Sequence, residues 1–198
     1  AAKELSSYMA NPIRNGMNKV KRLIRYLKGV PRFVTTFGYQ ANPNGLTARS
    51  DSEFAGCRKS RKSTSGGLVV HGNHVIKSWS TNQSVIALSS GEAEYYALVK
   101  AASVSIGVKT IMKDMGVELS EPIAIKSDAS AAVGIANRIG IGKVRHIEVN
   151  QLWLQEKVSK KEISIVKMGT EENLADALTK AVDAQMILKH IAGVGACV

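Results

Sequence analysis

Cysteine is almost missing from this sequence: Cys57 and Cys197 are the two in 198 residues. They stand too far apart for metal-ligand spacing and are too few for a disulfide framework, which points to a reducing compartment. Long apolar runs are lacking as well, and no secretory apolar stretch opens the chain, so nothing reads as a membrane span or a signal peptide. Internal repeats and low-complexity tracts are absent. Acidic residues are scarce, 16 Asp plus Glu against 27 Lys plus Arg, giving a net charge of +11 and a pI near 9.7. None lies between Glu4 and Asp51, where Arg14, Lys19, Lys21, Arg22, Arg25, Lys28, Arg32 and Arg49 fall. An excess of this sign suits a polyanionic partner. What the chain does have is 44% hydrophobic content, enough for one sizeable core. It opens on Ala in mid-pattern, as a piece cut from a longer polypeptide would.

The few acids are placed suggestively. Asp51 ends the run Leu46-Thr-Ala-Arg-Ser-Asp51, and Asp128 closes Ile123-Ala-Ile-Lys-Ser-Asp128. Glu94 lies in Ser89-Ser-Gly-Glu-Ala-Glu94, and Asp176 in Glu171-Glu-Asn-Leu-Ala-Asp176. Each sits where a chain enters or leaves regular structure and could aim a carboxylate at a common spot. Clustered carboxylates are what hard divalent cations need for phosphodiester hydrolysis. On a basic surface they suggest an enzyme acting on nucleic acid.

The periodicities give an element order. Met17, Val20, Leu23, Ile24 and Leu27 recur at helical spacing until Gly29 and Pro31 stop the helix. Its Lys and Arg residues, off that face, are either solvated or phosphate-contacting. Phe33 to Tyr39 reads as a strand, and another runs from Leu46 toward Asp51. Leu68 to Val70 and His74 to Trp79 form a hairpin around Gly72-Asn73. A long helix starts near Ser89 or Ser90, a candidate N-cap, and ends at Gly116, with Gly107 a possible division. Then follow a strand at Ile123 to Ser127, helices at Ala129 to Ala136 and Ile147 to Val158, a strand at Glu162 to Met168, and a closing helix at Glu171 to Lys180. Three antiparallel strands come first, in a five-stranded mixed α/β sheet flanked by helices.

Several segments, in one order, resemble the ribonuclease H domain of copia-type LTR-retrotransposon polyproteins. They are Ser50-Asp-Ser-Glu-Phe-Ala-Gly56, Arg61-Lys-Ser-Thr-Ser-Gly66, Ala87-Leu-Ser-Ser-Gly-Glu-Ala-Glu-Tyr95, Arg145-His-Ile-Glu148 and Leu174-Ala-Asp-Ala-Leu-Thr-Lys180. Upstream, Lys21-Arg-Leu-Ile-Arg-Tyr-Leu-Lys-Gly29 looks like the tail of the reverse transcriptase of the same polyprotein. Phe54 stands where the family usually has Trp, and Gly91 where Thr is usual. The resemblance implies a ribonuclease H-like fold over 45–182, a reverse-transcriptase tail over 1–44 with a short helix-and-strand extension, and a C-terminal tail over 183–198. It implies Asp51, Glu94, Asp128 and Asp176 as catalytic carboxylates and metal ligands for two Mg²⁺ ions roughly 4 Å apart, with Mn²⁺ as a substitute. The implied substrate is an RNA–DNA hybrid, the implied partner the adjacent polymerase domain, and the implied place an intracellular, cytoplasmic virus-like particle or reverse-transcription complex.

Each residue has a plainer reading beside this one. Glu92 and Glu94 both lie at the helix start; Glu94 has the spacing of the wider ribonuclease H group, leaving Glu92 as a charge favourable to the helix dipole. Asp176, without the resemblance, would be an exposed helix residue. Glu53, Glu171 and Glu172 read as solvated, and His71, His74 and His190 belong to no constellation. His146 shares a face with Val149 and Trp153, as a structural histidine does, so proton transfer to the leaving group falls to water or Thr170. Arg58, Lys59, Arg61, Lys62, Ser63, Thr64 and Ser65 are substrate-contact candidates, with Asn82, Gln83 and Ser130 for ribose hydroxyls. The loop from Arg138 to Arg145 is a second basic candidate. The rivals are an integrase-like transferase, which resembles the order Asp, Asp, Glu, a nucleic-acid-binding remnant without activity, and a scaffold module.

Overall fold

The computed structural model describes residues 2–57, 59–140, 142, 147 and 152–197. Two N-terminal helices, α1 (Ala2–Ser6) and α2 (Arg14–Gly29), precede a two-residue strand, β1 (Val34–Thr35). The main sheet begins with β2 (Leu46–Glu53), β3 (Thr64–His71) and β4 (His74–Asn82). After the long α3 (Ser90–Asp114) come β5 (Ile123–Ser127), α4 (Ser130–Asn137), α5 (Trp153–Ser159) and β6 (Ile163–Lys167). A 3₁₀ turn (Thr170–Glu172), α6 (Asp176–Thr179), α7 (Ala184–Gly193) and β7 (Ala196–Cys197) close the chain.

The five strands lie in the order β4-β3-β2-β5-β6. β3 is antiparallel to both β2 and β4, whereas β2, β5 and β6 run parallel. This is the mixed, helix-flanked sheet expected of a ribonuclease H-like fold. Parallel neighbours need a crossover, and α3 supplies the one from β4 back to β5. The hairpin turns at Gly72, whose φ of +60° is a conformation other residues adopt at a cost. Gln40 clasps that turn, donating from Nε2 to the His71 carbonyl at 3.0 Å and accepting from the Asn73 amide at 2.8 Å.

The α3 N-terminus is built as its sequence indicates. Ser89 is extended (φ −148°, ψ 161°), and its hydroxyl accepts from the Glu92 amide at 3.2 Å, a cap typically worth about 1 kcal/mol. The helix then runs unbroken through Gly107 to Asp114, and Gly116 follows at φ +81°. No division occurs at Gly107, because burial of Tyr95, Leu98, Ala101, Ala102 and Val108 against the sheet outweighs one glycine's helix penalty of about 1 kcal/mol. Facing them are Leu46, Ala48, Val69, Ile123 and Ile125.

Elsewhere the expected elements are trimmed. The strand expected over Phe33 to Tyr39 is only Val34–Thr35, paired antiparallel with Ala196–Cys197. The C-terminal segment carries a helix, capped by Asp183 accepting from the Met186 amide at 2.8 Å. The single helix expected from Glu171 to Lys180 is instead a 3₁₀ turn and a four-residue helix. Asn173 separates them: its side chain accepts from the Ala175 amide at 3.2 Å, competing locally with helical hydrogen bonding. On α2, Met17, Ile24 and Leu27 are exposed although they share the apolar spacing. No helix among the described residues is long and apolar enough to cross a membrane.

Candidate metal centre

Strand polarity creates the site. Arg49 of β2 pairs with Lys126 of β5 in parallel register, so two residues further along the chain Asp51, near the end of β2, and Asp128, just past β5, emerge at the same end of the sheet. The capped start of α3 brings Glu94 to the same end. One carboxylate oxygen from each of Asp51, Glu94 and Asp128 lies within 4.8 Å of the other two. Glu94 is anchored there by the Ser52 amide, which donates to its Oε1 at 3.2 Å.

α6 covers this end of the sheet and carries Asp176. Asn173 ties it down by donating from Nδ2 to the Ser50 carbonyl at 3.0 Å. From one face of α6, the Thr179 hydroxyl donates to Asp51 Oδ2. Lys180 Nζ stands 3.1 Å from Asp176 Oδ2. Asp176 therefore borders the three-carboxylate cluster, close enough for its charge to act on Asp51.

The electrostatics follow from burial. Asp51 is 3% exposed, and desolvation pushes its carboxyl up to about 6; the Thr179 hydrogen bond and Lys180 oppose the rise, while Asp176 and Asp128 add to it. Glu94 is pushed up to about 8, first by burial and then by the charge of Asp51, against the pull of Ser52. Two buried carboxylate oxygens, Glu94 Oε2 and Asp176 Oδ1, have no hydrogen-bond partner. Such atoms are costly unless something else satisfies them. A hard cation with oxygen ligands fits this donor set.

Glu92 is not part of the cluster. It is 2% exposed, and its carboxylate accepts from the Tyr96 hydroxyl at 2.6 Å and the Leu88 amide at 2.8 Å. Ser63, Thr64 and Ser65, expected as substrate contacts, are all buried. Their hydroxyls serve the protein: Ser63 accepts from the Ala55 amide at 3.0 Å, Thr64 from Lys3, and Ser65 from Gln83 Nε2 at 3.0 Å. Gln83 is buried too, donating in addition to the Ala93 carbonyl at 2.8 Å. Lys59, Arg61, Asn82, Ser130 and Thr170 are exposed and Lys62 is half-buried. Arg58, Arg145 and His146 lie outside the described residues, as do half of the positions of the loop from Arg138 to Arg145.

Asn173, Thr179 and Lys180 join the site residues, and the +3 and +4 spacing of Thr179 and Lys180 from Asp176 is the sequence signal of one helical face. Gly66 joins them. It pairs with Asp51 across the β2–β3 ladder. A Cβ there would meet Thr179 Cγ2 at 2.6 Å and Leu178 Cβ at 3.0 Å. Glycine is what lets α6 sit against the sheet. Gly66→Val is expected to lose about 1–3 kcal/mol of stability through overpacking and to loosen Asp176 and Thr179 from the cluster. Gly107→Ala, with nothing within 4 Å of the added Cβ, should instead gain up to about 1 kcal/mol. Thermal unfolding of the two variants checks both signs.

No protein-family model matches the chain. Over 181 residues, 91% of its length, it is 32% identical to the retrovirus-related Pol polyprotein from transposon RE2 of Arabidopsis thaliana. Over 179 residues, 90% of its length, it is 30% identical to the retrovirus-related Pol polyprotein from transposon TNT 1-94 of Nicotiana tabacum. The chain spans 12% and 13% of the length of these relatives. Among solved structures it is similar to LC11-RNase H1 isolated from compost, at 19% identity and a TM-score of 0.47, covering 69% of this chain and 93% of that one.

Proposed function

From the premise that this chain belongs to the retrovirus-related Pol polyproteins of transposons, the copia-type family its motifs resemble, we propose that it is their ribonuclease H: a metal-dependent endonuclease that hydrolyses the RNA strand of RNA–DNA hybrids during reverse transcription. The observation that carries this reading is the convergence of Asp51, Glu94 and Asp128 within 4.8 Å, bordered by Asp176, on a chain of net charge +11.

In this reading Asp51, Glu94, Asp128 and Asp176 hold two Mg²⁺ ions, with Mn²⁺ as a substitute. Bound there, such ions supply Lewis-acid stabilisation of phosphoryl charge and an activated water. The chain's own residues set the geometry. Ser52 and Thr179 fix the carboxylates of Glu94 and Asp51, and Asn173 with Gly66 seats the helix that carries Asp176. Lys59, Arg61 and Lys62 follow the carboxyl end of β2, placed to meet backbone phosphates without reading sequence. The implied partner is the polymerase domain of the same polyprotein, inside the particle where reverse transcription takes place.

Chain order favours hydrolysis over strand transfer, since the glutamate falls between the first two aspartates. A hybrid labelled on its RNA strand, incubated with the chain and Mg²⁺ or Mn²⁺, is expected to yield fragments with 3′-hydroxyl and 5′-phosphate ends. Strand transfer on duplex DNA without hybrid cleavage would replace this reading with the integrase-like one. Wild-type cutting rates from the Asp128→Asn variant would remove the carboxylate cluster as the centre.

A further inference from the structure

Lys180 is the one cation with an ion pair to a carboxylate of this centre among the described residues. It follows the last residue of α6, four positions after Asp176, with Nζ 3.1 Å from Asp176 Oδ2. The pair is asymmetric: the Asp176 side chain is 9% exposed, and that of Lys180 is 44% exposed. The carboxylate is fixed inside while the ammonium comes from the rim on a flexible stem with solvent behind it. Asp176 gives only one oxygen to this pair; its Oδ1 is buried with no hydrogen-bond partner. The chain offers an internal contrast in Lys160–Glu156. That pair has the same spacing, at 2.6 Å, but both side chains are more than half exposed. It is an ordinary surface bridge, which contributes little.

We propose that Lys180 is a built-in counter-ion of the centre, holding Asp176 through its ammonium until a divalent cation takes the carboxylate and the lysine swings aside toward solvent. This rests on the metal-centre reading of the proposed function. The physical reason is the crowding of several carboxylates, whose mutual repulsion needs an opposing charge. Lys180 is placed to give it: its pull on Asp51 opposes the push from Asp176 and Asp128. A cation at Asp176 would share that carboxylate with an ammonium 3.1 Å from its Oδ2, and repulsion between the two positive charges favours the lysine's departure. Lys180 is a positioning residue, acting through Asp176.

Calorimetric Mg²⁺ titration of the 198-residue chain, paired with thermal unfolding in chelator and in saturating Mg²⁺, tests this. Lys180→Gln is expected to bind Mg²⁺ roughly three- to tenfold more tightly, the direction set by removing a like charge from the site. The same variant should melt below wild type in chelator and recover that loss in Mg²⁺. Lys180→Arg, which keeps the charge, should restore wild-type affinity, and Lys160→Gln should leave it unchanged. In an Asp176→Asn background the gain from Lys180→Gln should vanish. Equal or weaker Mg²⁺ binding by Lys180→Gln, or an equal melting loss with and without Mg²⁺, overturns the counter-ion role while leaving the metal centre standing. Absence of Mg²⁺ binding by the wild-type chain removes the metal centre and the counter-ion role together.

Discussion

Asp51→Asn is expected to lower hybrid cleavage by on the order of a thousandfold or more while making the chain more stable in chelator. The two effects have one cause. Asp51 sits on β2 between the other carboxylates, 3% exposed, with desolvation holding its carboxyl near 6. At pH 7.5 most of that group is charged, in a place that disfavours charge, so neutralising it removes a destabilising contribution of about 1–3 kcal/mol. The side-chain oxygen of Asn can still accept from the Thr179 hydroxyl, so α6 keeps its seat. What Asn lacks is the negative charge that a cation-binding centre requires. Unfolding in chelator and turnover of labelled hybrid should therefore move in opposite directions. A variant that loses activity because it is misfolded would lose stability as well, and that outcome would falsify the assignment.

The same coupling of cost and use explains how much of the centre was legible in the sequence. Asp51 and Asp128 could be read because each closes a short strand-like run, and the parallel register of β2 and β5 brings both to one end of the sheet. Glu94 could be preferred over Glu92 only on the family's spacing; the structure supplies the reason, since Tyr96 and Leu88 take the Glu92 carboxylate into the start of α3. The Ser63-Thr-Ser65 hydroxyls read as exposed because they are polar and adjoin a basic segment, whereas β3 begins at Thr64 and Ser63, just before it, is buried with Thr64 and Ser65. Nothing in local periodicity marks Gly66 or Asn173 as supports of a helix more than a hundred residues away in one case and in the next turn in the other. Their role depends on a long-range approach, α6 against β3, which the pattern of a single segment does not encode. The tail expected over 183–198 is a helix from Ala184, and Asp183 followed by apolar residues is its legible cap. Its attachment comes from the pairing of the following strand, Ala196–Cys197, with Val34–Thr35 and from a 2.7 Å contact between His190 Nδ1 and the Leu174 carbonyl, both non-local.

In chelator, stability is expected to fall as pH rises from 6 to 8, the reverse of the usual behaviour of surface carboxylates. Glu94 is held up to about 8 and Asp51 up to about 6, in both cases chiefly by burial. Unfolded, both groups titrate near 4. Across this range the folded chain therefore retains protons that the unfolded chain has released, and stability drops as pH increases. The advantage is complete below the unfolded values and is used up once pH has passed the folded ones. Between pH 6 and 8 Glu94 accounts for most of the change, about 2 kcal/mol, or a Tm decrease of roughly 5 °C for a chain of this size. Glu94→Gln should flatten that slope and so separate it from histidine titration. Divalent cations need the same carboxylates deprotonated, so the Tm gain on adding Mg²⁺ should grow over the same interval. Melting curves at pH 6, 7 and 8, with chelator and with Mg²⁺, give both slopes. A Tm in chelator that climbs with pH would mean that Glu94 and Asp51 are ionised without cost, and that this end of the sheet is hydrated rather than built around a cation.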